Sequence, residues 1–303
     1  MLALWQANWV ASRLKEAGET CELVPMDTTG DRMLSVSIPE IGSKGVFTFE
    51  LEQELQNGNI DLAVHSAKDM PSELPEGFEI IAYTPRENPH DVLVTNADSI
   101  DLTQTIKIGT SSTRRQAMLS HYYPHVECAP VRGNLNTRIK KMMSGEFDAL
   151  LLAFAGVHRL GFDEMIKYTF PLEAFVPAVG QGSMAVEVSS TIDAPLRGVI
   201  RAAINDTKAE LCLLAERAFL HSMQGGCSIP VFSHASWDRQ KITMQAGVVS
   251  VDGQQLVQLS QSADPDEVYD LGKSLAQKVL SSGGEKILNE IKEQLNHNDQ
   301  NQA

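Results

Sequence analysis

The residues whose type and spacing could do chemistry are four arginines near two strand ends, one aspartate after a third strand, and one cysteine behind two glycines. Gly109-Thr110-Ser111-Ser112 closes a short β pattern at Ile106 and Ile108 and opens a helix whose first turn holds Arg114 and Arg115. The helix dipole disfavours cations there. Backbone N–H groups and hydroxyls of Thr110, Ser111 and Ser112, together with those guanidiniums, make an anion site. Arg132 ends the next strand pattern, and Arg138 stands early in the helix after it. A guanidinium fork binds carboxylates in bidentate fashion, so several arginines at strand ends imply a ligand with several carboxylates. Lys140 and Lys141 read instead as a solvated basic face.

His65-Ser66-Ala67-Lys68-Asp69-Met70-Pro71 follows a strand pattern at Ile60 to Val64, so Asp69 also lies beyond a strand's carboxyl end. Taken alone, Asp69 reads as a turn residue paired with Lys68, and His65 as a strand-end packing residue. Cys227 follows Gln224-Gly225-Gly226, where two glycines end a helix and leave the sulfur on a loop. A free cysteine is more often a small buried hydrophobe. That reading suits Cys212 in its helix and Cys128 in its strand better than Cys227. No metal-ligand cluster is expected.

The elements that must position these residues alternate. Trp5 and Trp9, and Val10 and Leu14, give a first amphipathic helix. Residues 27–44 read as a loop. Phe47, Leu51 and Leu55 share a helical face that stops at Gly58. Strands at Ile106 and Ile108, Val126 to Val131 and Ala149 to Phe154 alternate with helices, a pattern of open α/β sheets with crossover helices. In such sheets ligands bind beyond the carboxyl ends of the strands. Thr207-Lys208-Ala209-Glu210 reads as a capping box, with Leu211, Leu214, Ala215, Ala218 and Phe219 on one face. Ile242, Met244, Ala246 and Val248, an Asp252-Gly253 turn, then Val257 and Leu259 give a hairpin. Two helices broken at Gly283-Gly284 close the chain, with a frayed tail from His297.

Composition narrows the partners. The 303 residues carry a net charge of −14 and are 43% hydrophobic. At ~150 residues per domain two or three domains are expected, with ample apolar surface for cores. The acidity argues against nucleic acid or an anionic membrane as the main partner. Against it, residues 102–145 hold seven Lys or Arg and a single acid, Glu127. No apolar run reaches the ~18 residues of a membrane span. The first residues lack a basic n-region, so no secretory signal is expected. Four cysteines without CxxC spacing fit a reducing cytoplasm.

Seven segments in register resemble the porphobilinogen deaminase family. They are Gly42-Ser43-Lys44-Gly45, His65 to Pro71, Gly109 to Gln116, Arg132-Gly133-Asn134 with Thr137-Arg138, Ala155-Gly156 with Arg159-Leu160-Gly161, Pro177 to Gly182, and Gly225-Gly226-Cys227. The resemblance covers nearly the whole chain and is weakest in the last seventy residues. It implies two periplasmic-binding-protein-like α/β domains and a smaller C-terminal α/β domain. The first would be discontinuous, residues 1–85 with 183–203. The second would span 88–180, the third 206–296, and 297–303 would be tail.

The resemblance also implies a transferase of tetrapyrrole biosynthesis, monomeric and cytoplasmic. It would deaminate four porphobilinogens and join them into hydroxymethylbilane on a dipyrromethane cofactor, held as a thioether on Cys227. Asp69 would be catalytic, bonding pyrrole N–H groups and stabilising the cations on either side of bond formation. Lys68, Thr110, Ser111, Ser112, Arg114, Arg115 and Arg138 would hold the cofactor. Arg132, Arg159 and Gln181 would serve the substrate or the growing chain. Family members begin with a short strand and an Arg-x-Ser segment ahead of the residues matching Leu2 to Ala7, so Met1 is expected not to be the natural start. Glu40 and Phe49 stand where basic residues are frequent. The competing readings are an inactive truncated form of this fold and an anion-binding solute-binding protein. Ehrlich's reagent separates the last, since a bound dipyrromethane colours and a solute-binding protein does not.

Overall fold

A computed structural model describes residues 1–26, 48–224 and 229–300. The expected loop at 27–44, the Gly42 to Gly45 segment, Glu40 and Cys227 lie outside the described residues. Helix α1 (Leu2–Glu16) buries Val10 and Leu14, as their spacing predicts, with Gln6 one turn before them, while Trp9 packs against the same core only in part and Trp5 is exposed. Helix α2 (Phe49–Gln56) leaves Phe49 exposed. Strand β1 (Ala63–Ser66) begins three residues later than the apolar run at Ile60 predicts, because its ladder to the partner strand starts at Ala63. A single 3-10 turn, Ala67–Asp69, then ends it.

Strand β2 (Phe78–Tyr83) completes the first lobe's outbound chain. The second lobe follows with β3 (Asp91–Val94), β4 (Lys107–Gly109), α3 (Thr113–Tyr122), β5 (Glu127–Ala129), α4 (Leu135–Met143), β6 (Ala149–Ala153), α5 (Phe154–Arg159) and β7 (Ile166–Thr169). Phe154 opens α5 rather than closing the strand, and Gly156 lies inside that helix. The chain returns to the first lobe with β8 (Met184–Ser189) and α6 (Ala194–Ile204). The C-terminal unit is α7 (Thr207–Ser222), β9 (Val231–Asp238), β10 (Lys241–Val249), β11 (Leu256–Ala263), α8 (Val268–Val279) and α9 (Glu285–Gln300). The break at Gly283 has φ +110°, as the glycine pair predicts. Helix α9 continues past His297 to Gln300, so the expected frayed tail is helical that far.

Among the described residues the strands form three sheets. In the first, β8 lies between β1 and β2 and is antiparallel to both. The second has the order β5-β4-β6-β3-β7: β5, β4 and β6 run parallel, and β3 is antiparallel to β6 and β7. The third is the meander β11-β10-β9. Each sheet seats a core. Val10, Ile81, Val186 and Ile200 fill the first, Leu93, Ile108 and Leu151 one face of the second, and Phe219, Met244 and Leu275 the third. This is an α/β molecule with two sheet-centred lobes and a smaller C-terminal α/β unit.

Two features of α7 differ from the sequence reading. Its N-cap is Asp206, whose carboxylate accepts from Ala209 N at 2.8 Å, with Thr207 inside the helix. Its buried face is Ala209, Cys212, Leu213, Ala215, Glu216 and Phe219, with Leu211 and Leu214 only half-buried. The buried acid Glu216 draws that face round, because it accepts from Arg86 at 2.6 Å, Gly180 N at 2.8 Å and Ala235 N at 2.7 Å. It thus ties both lobe-connecting segments to the C-terminal unit.

Those segments pass side by side. Glu87 N donates to Gly182 O at 3.2 Å and Thr84 N to Met184 O at 3.1 Å. Gly180, at φ +76°, lies so close to the 3-10 turn that a Cβ there would stand 2.7 Å from the carbonyl carbon of Ala67. Gly180→Ala is therefore expected to lower stability by ~1–3 kcal/mol, since both the backbone angle and the space forbid it. Equal thermal midpoints for variant and parent would show that the approach is looser than this.

Candidate active-site cleft

The carboxyl ends of β1, β4 and β5 and the N-terminal ends of α3 and α4 face one cleft of about 2410 Å³. Lys68 and Asp69, Ser111, Ser112, Arg115, Arg132, Arg138 and Gln181 line it. A smaller recess of about 180 Å³ adjoins it, where Lys68, Arg115, Arg138 and Arg159 converge. Both lobes therefore contribute to one cationic basin in an acidic chain.

The 3-10 turn presents Lys68 and Asp69, both exposed to the cleft. Ala67 N donates to Ser183 O at 3.0 Å, which anchors the turn's start. Lys68 meets solvent in the cleft but is walled by protein on its other sides. That burial pushes its amine pKa down, Asp69 and Asp91 work against the shift, and Arg115 and Arg138 add to it. Arg138 is likewise pushed down by burial and by Arg115, with Asp69 opposing. Burial also lowers Arg159, with Glu87 opposing. Crowded cations of this kind gain from an anionic ligand.

The strand-end loops are held from within. Ser111 Oγ donates to Val131 O at 2.8 Å and accepts from Val131 N at 3.0 Å, joining the loops after β4 and β5. Ser112 caps α3 by accepting from Arg115 N at 3.4 Å. Thr110 is buried, with its hydroxyl accepting from Ser112 N. Asn134 caps α4, accepting from Thr137 N at 3.0 Å. Arg138 donates through Nε to Gly133 O at 2.7 Å, which aims its fork. Arg159 donates to Gly182 O at 2.7 Å and lies 5.3 Å from the Trp5 ring, a cation–π contact.

Asp91, which sequence reasoning missed, organises the arginines. Fully buried at the start of β3, it accepts from Arg114 at 2.6 Å and from Arg115 Nε and Nη2 at 3.0 and 2.7 Å. Arg114 also donates to Val176 O at 2.9 Å, and Arg115 to Leu151 O at 3.2 Å. Gln181 is buried beside them, donating to Pro89 O at 2.7 Å and Asp91 at 3.0 Å and accepting from Arg115 at 3.4 Å. The guanidiniums of Arg114 and Arg115 and the amide of Gln181 are thus all bonded to the protein in this structure, and Arg115 also borders the smaller recess. The available signal was a charged residue heading the apolar run Val92-Leu93-Val94. His65, read as packing, is buried with Nε2 2.9 Å from Glu187.

Residues 1–195 match the family described as porphobilinogen deaminase, dipyromethane cofactor binding domain, and residues 210–281 match the porphobilinogen deaminase C-terminal domain. The chain belongs to the porphobilinogen deaminase family. It is 48% identical over 296 residues to the porphobilinogen deaminase of Desulfosudis oleivorans, covering 97% of this chain and 96% of that one. It is 46% identical to the Cytophaga hutchinsonii porphobilinogen deaminase over 97% of this chain and 95% of that one. Among solved structures, a periplasmic His/Glu/Gln/Arg/opine family-binding protein from Silicibacter pomeroyi is 18% identical, over 68% of this chain and 81% of that chain, at a TM-score of 0.38. So remote a likeness has no bearing on the ligand. Membership of the deaminase family sets the solute-binding reading aside.

The cleft suits the family's cofactor. A dipyrromethane carries four carboxylates, and Lys68, Arg115, Arg132 and Arg138 all line the cleft. Gln224 and Ile229, the described residues on either side of the Cys227 segment, also line the cleft. Among the described residues no cluster of His, Cys, Asp and Glu is arranged to hold a metal ion.

Proposed function

We propose that this cleft deaminates porphobilinogen and joins four units head to tail into hydroxymethylbilane, as the transferase step of tetrapyrrole biosynthesis. The observation that carries the proposal is one carboxylate, Asp69, set beside a row of cations at the mouth of strand ends. The substrate brings two carboxylates per ring, and its reaction passes through a cation. Arginines suit the first, and a carboxylate suits the second.

When bound on Cys227, the dipyrromethane supplies the free pyrrole α-carbon that attacks. This chain's own residues do the rest. Lys68, Arg115 and Arg138, with the hydroxyl-bearing loop Thr110 to Ser112, bind the cofactor's acidic side chains. Arg114 contributes from behind by neutralising Asp91. Arg132, and Arg159 in the smaller recess, take the carboxylates of the incoming ring, with Gln181 fixing Arg115. Asp69 accepts from pyrrole N–H groups, offsets positive charge as ammonia leaves, and takes up the proton lost from the new bond.

The proposed domains are residues 1–85 with 183–203, 88–180 and 206–296. They are supported by the pairing of β8 with β1 and β2 and by a core seated on each sheet, with Phe232 and Val249 of the C-terminal unit packing into the second lobe's core. The unpaired thiols of Cys21, Cys128 and Cys212 fit a reducing cytoplasm, and a cleft built from one chain fits a monomer.

The test is intact-protein mass. The purified chain is expected to exceed its sequence mass by two pyrrole units, and Cys227→Ser to lack the increment and the turnover. An increment that survives in Cys227→Ser, or maps to Cys21, Cys128 or Cys212, would overturn the assignment.

A further inference from the structure

We propose that Arg217 is a positioning residue for this reaction, holding the Asp69 turn from the C-terminal unit. The inference rests on the reading of Asp69 given above. Arg217 lies in α7 and donates through Nη2 to Pro71 O at 2.9 Å and Ser72 O at 3.4 Å. These carbonyls belong to the two residues after Met70, where the chain leaves the turn. Pro71 has no N–H to tie the segment into a ladder. The turn's upstream end is fixed at Ser183, and Arg217 fixes the downstream end.

The helix that carries Arg217 is a rigid post. Glu216, its neighbour, accepts from Gly180 N, Ala235 N and Arg86, and is fully buried. Leu213, one turn earlier than Arg217, packs with Ala67 and Met70 on either side of Lys68-Asp69. Thus α7 meets the turn twice on one face, by an apolar contact and by a charged donor. Arg217 is not among the described residues lining the cleft, so it reaches the chemistry only through the turn. The same helix ends at Ser222, five residues before Cys227 in sequence. One element therefore sets both the aspartate's turn and the root of the segment bearing the cofactor cysteine.

The test uses the full chain with cofactor attached. Arg217→Met keeps the side chain's length and removes its donors. It is expected to load the cofactor, to keep KM within about twofold, and to lose about ten- to a hundredfold in kcat, the scale of an ~1 Å misplacement. Arg217→Lys, which can still donate to one carbonyl, is expected to recover most of the loss. Leu275→Ala, in the distant core of the same unit, controls for stability. It should lower the thermal midpoint and leave kcat unchanged at temperatures below it.

Wild-type kcat in Arg217→Met, with only a lower midpoint as in Leu275→Ala, would overturn the inference. So would a loss confined to KM, or a lysine variant no better than methionine. The two readings fail separately. A fully active Asp69→Asn removes the role of Asp69. An inactive Asp69→Asn beside a fully active Arg217→Met removes only the role of Arg217.

Discussion

Asp69→Asn is expected to fold, to melt within a degree or two of the parent, and to lose about 10²–10³ in kcat, the scale for removing one preorganised electrostatic partner. The stability expectation follows from its place. Asp69 is exposed to the cleft at the end of a 3-10 turn, and the turn's anchors are the backbones of Ala67 and Met70 and the packing of Ala67 under Gly180. None of these needs the carboxylate. The activity expectation follows from charge. Asp69 opposes the crowding of both Lys68 and Arg138 at the site. An amide matches the carboxylate in size and can still accept from a pyrrole N–H. It cannot offset positive charge or take a proton. Steady-state turnover of porphobilinogen, with the cofactor verified by mass, decides this. Turnover within about threefold of the parent would take Asp69 out of the chemistry.

The sequence showed the strand ends but not what lies behind them. Gly109-Thr110-Ser111-Ser112 was legible because a capping serine and a helix start are local features, and Ser112 does cap α3. The turn at Asp69 was legible for the same reason, although β1 begins at Ala63 and not at Ile60. Asp91 was not legible. Its partners Arg114 and Arg115 stand more than twenty residues downstream, and no periodicity links an acid heading a strand to the first turn of a later helix. Without Asp91, both arginines read as ligand-facing. With it, both are braced from within the protein. The bonds of Gln181 were hidden in the same way, since a glutamine between two glycines gives no sign that its amide also meets Pro89, Asp91 and Arg115. Glu216 hid inside an apolar helix face, where its charge marked a buried partner rather than a solvated edge. In each case a long-range ion pair or hydrogen bond overrode a local pattern.

The largest stability effect is therefore expected at Asp91. Asp91→Asn keeps the size and removes the charge, leaving the buried Arg114 and Arg115 guanidiniums without their counter-ion. Breaking a buried pair from one side costs ~3–5 kcal/mol, and here one carboxylate serves two cations. The effect carries a pH signature. Burial alone would raise the Asp91 carboxyl, but Arg114 and Arg115, with hydrogen bonds from Arg114 and Gln181, outweigh burial and hold it at about 2 against an ordinary 3.8. A carboxyl depressed by folding stabilises the folded state above its unfolded pKa and loses that contribution as pH falls toward the folded one. Its share is on the order of 2 kcal/mol, at ~1.4 kcal/mol per unit. The gap in stability between parent and Asp91→Asn should thus be widest above pH ~4 and should narrow from there toward pH ~2. Denaturant titrations of both proteins at several pH values in that range measure it. A gap below ~1 kcal/mol at neutral pH, or one that does not change between those limits, would mean that the two arginines do not depend on this carboxylate. The cleft then gives a second reading of the same variant. Because Asp91 fixes Arg115 at the wall, Asp91→Asn should also bind less cofactor per chain at neutral pH, seen as a lower fraction of the heavier mass even in the folded protein.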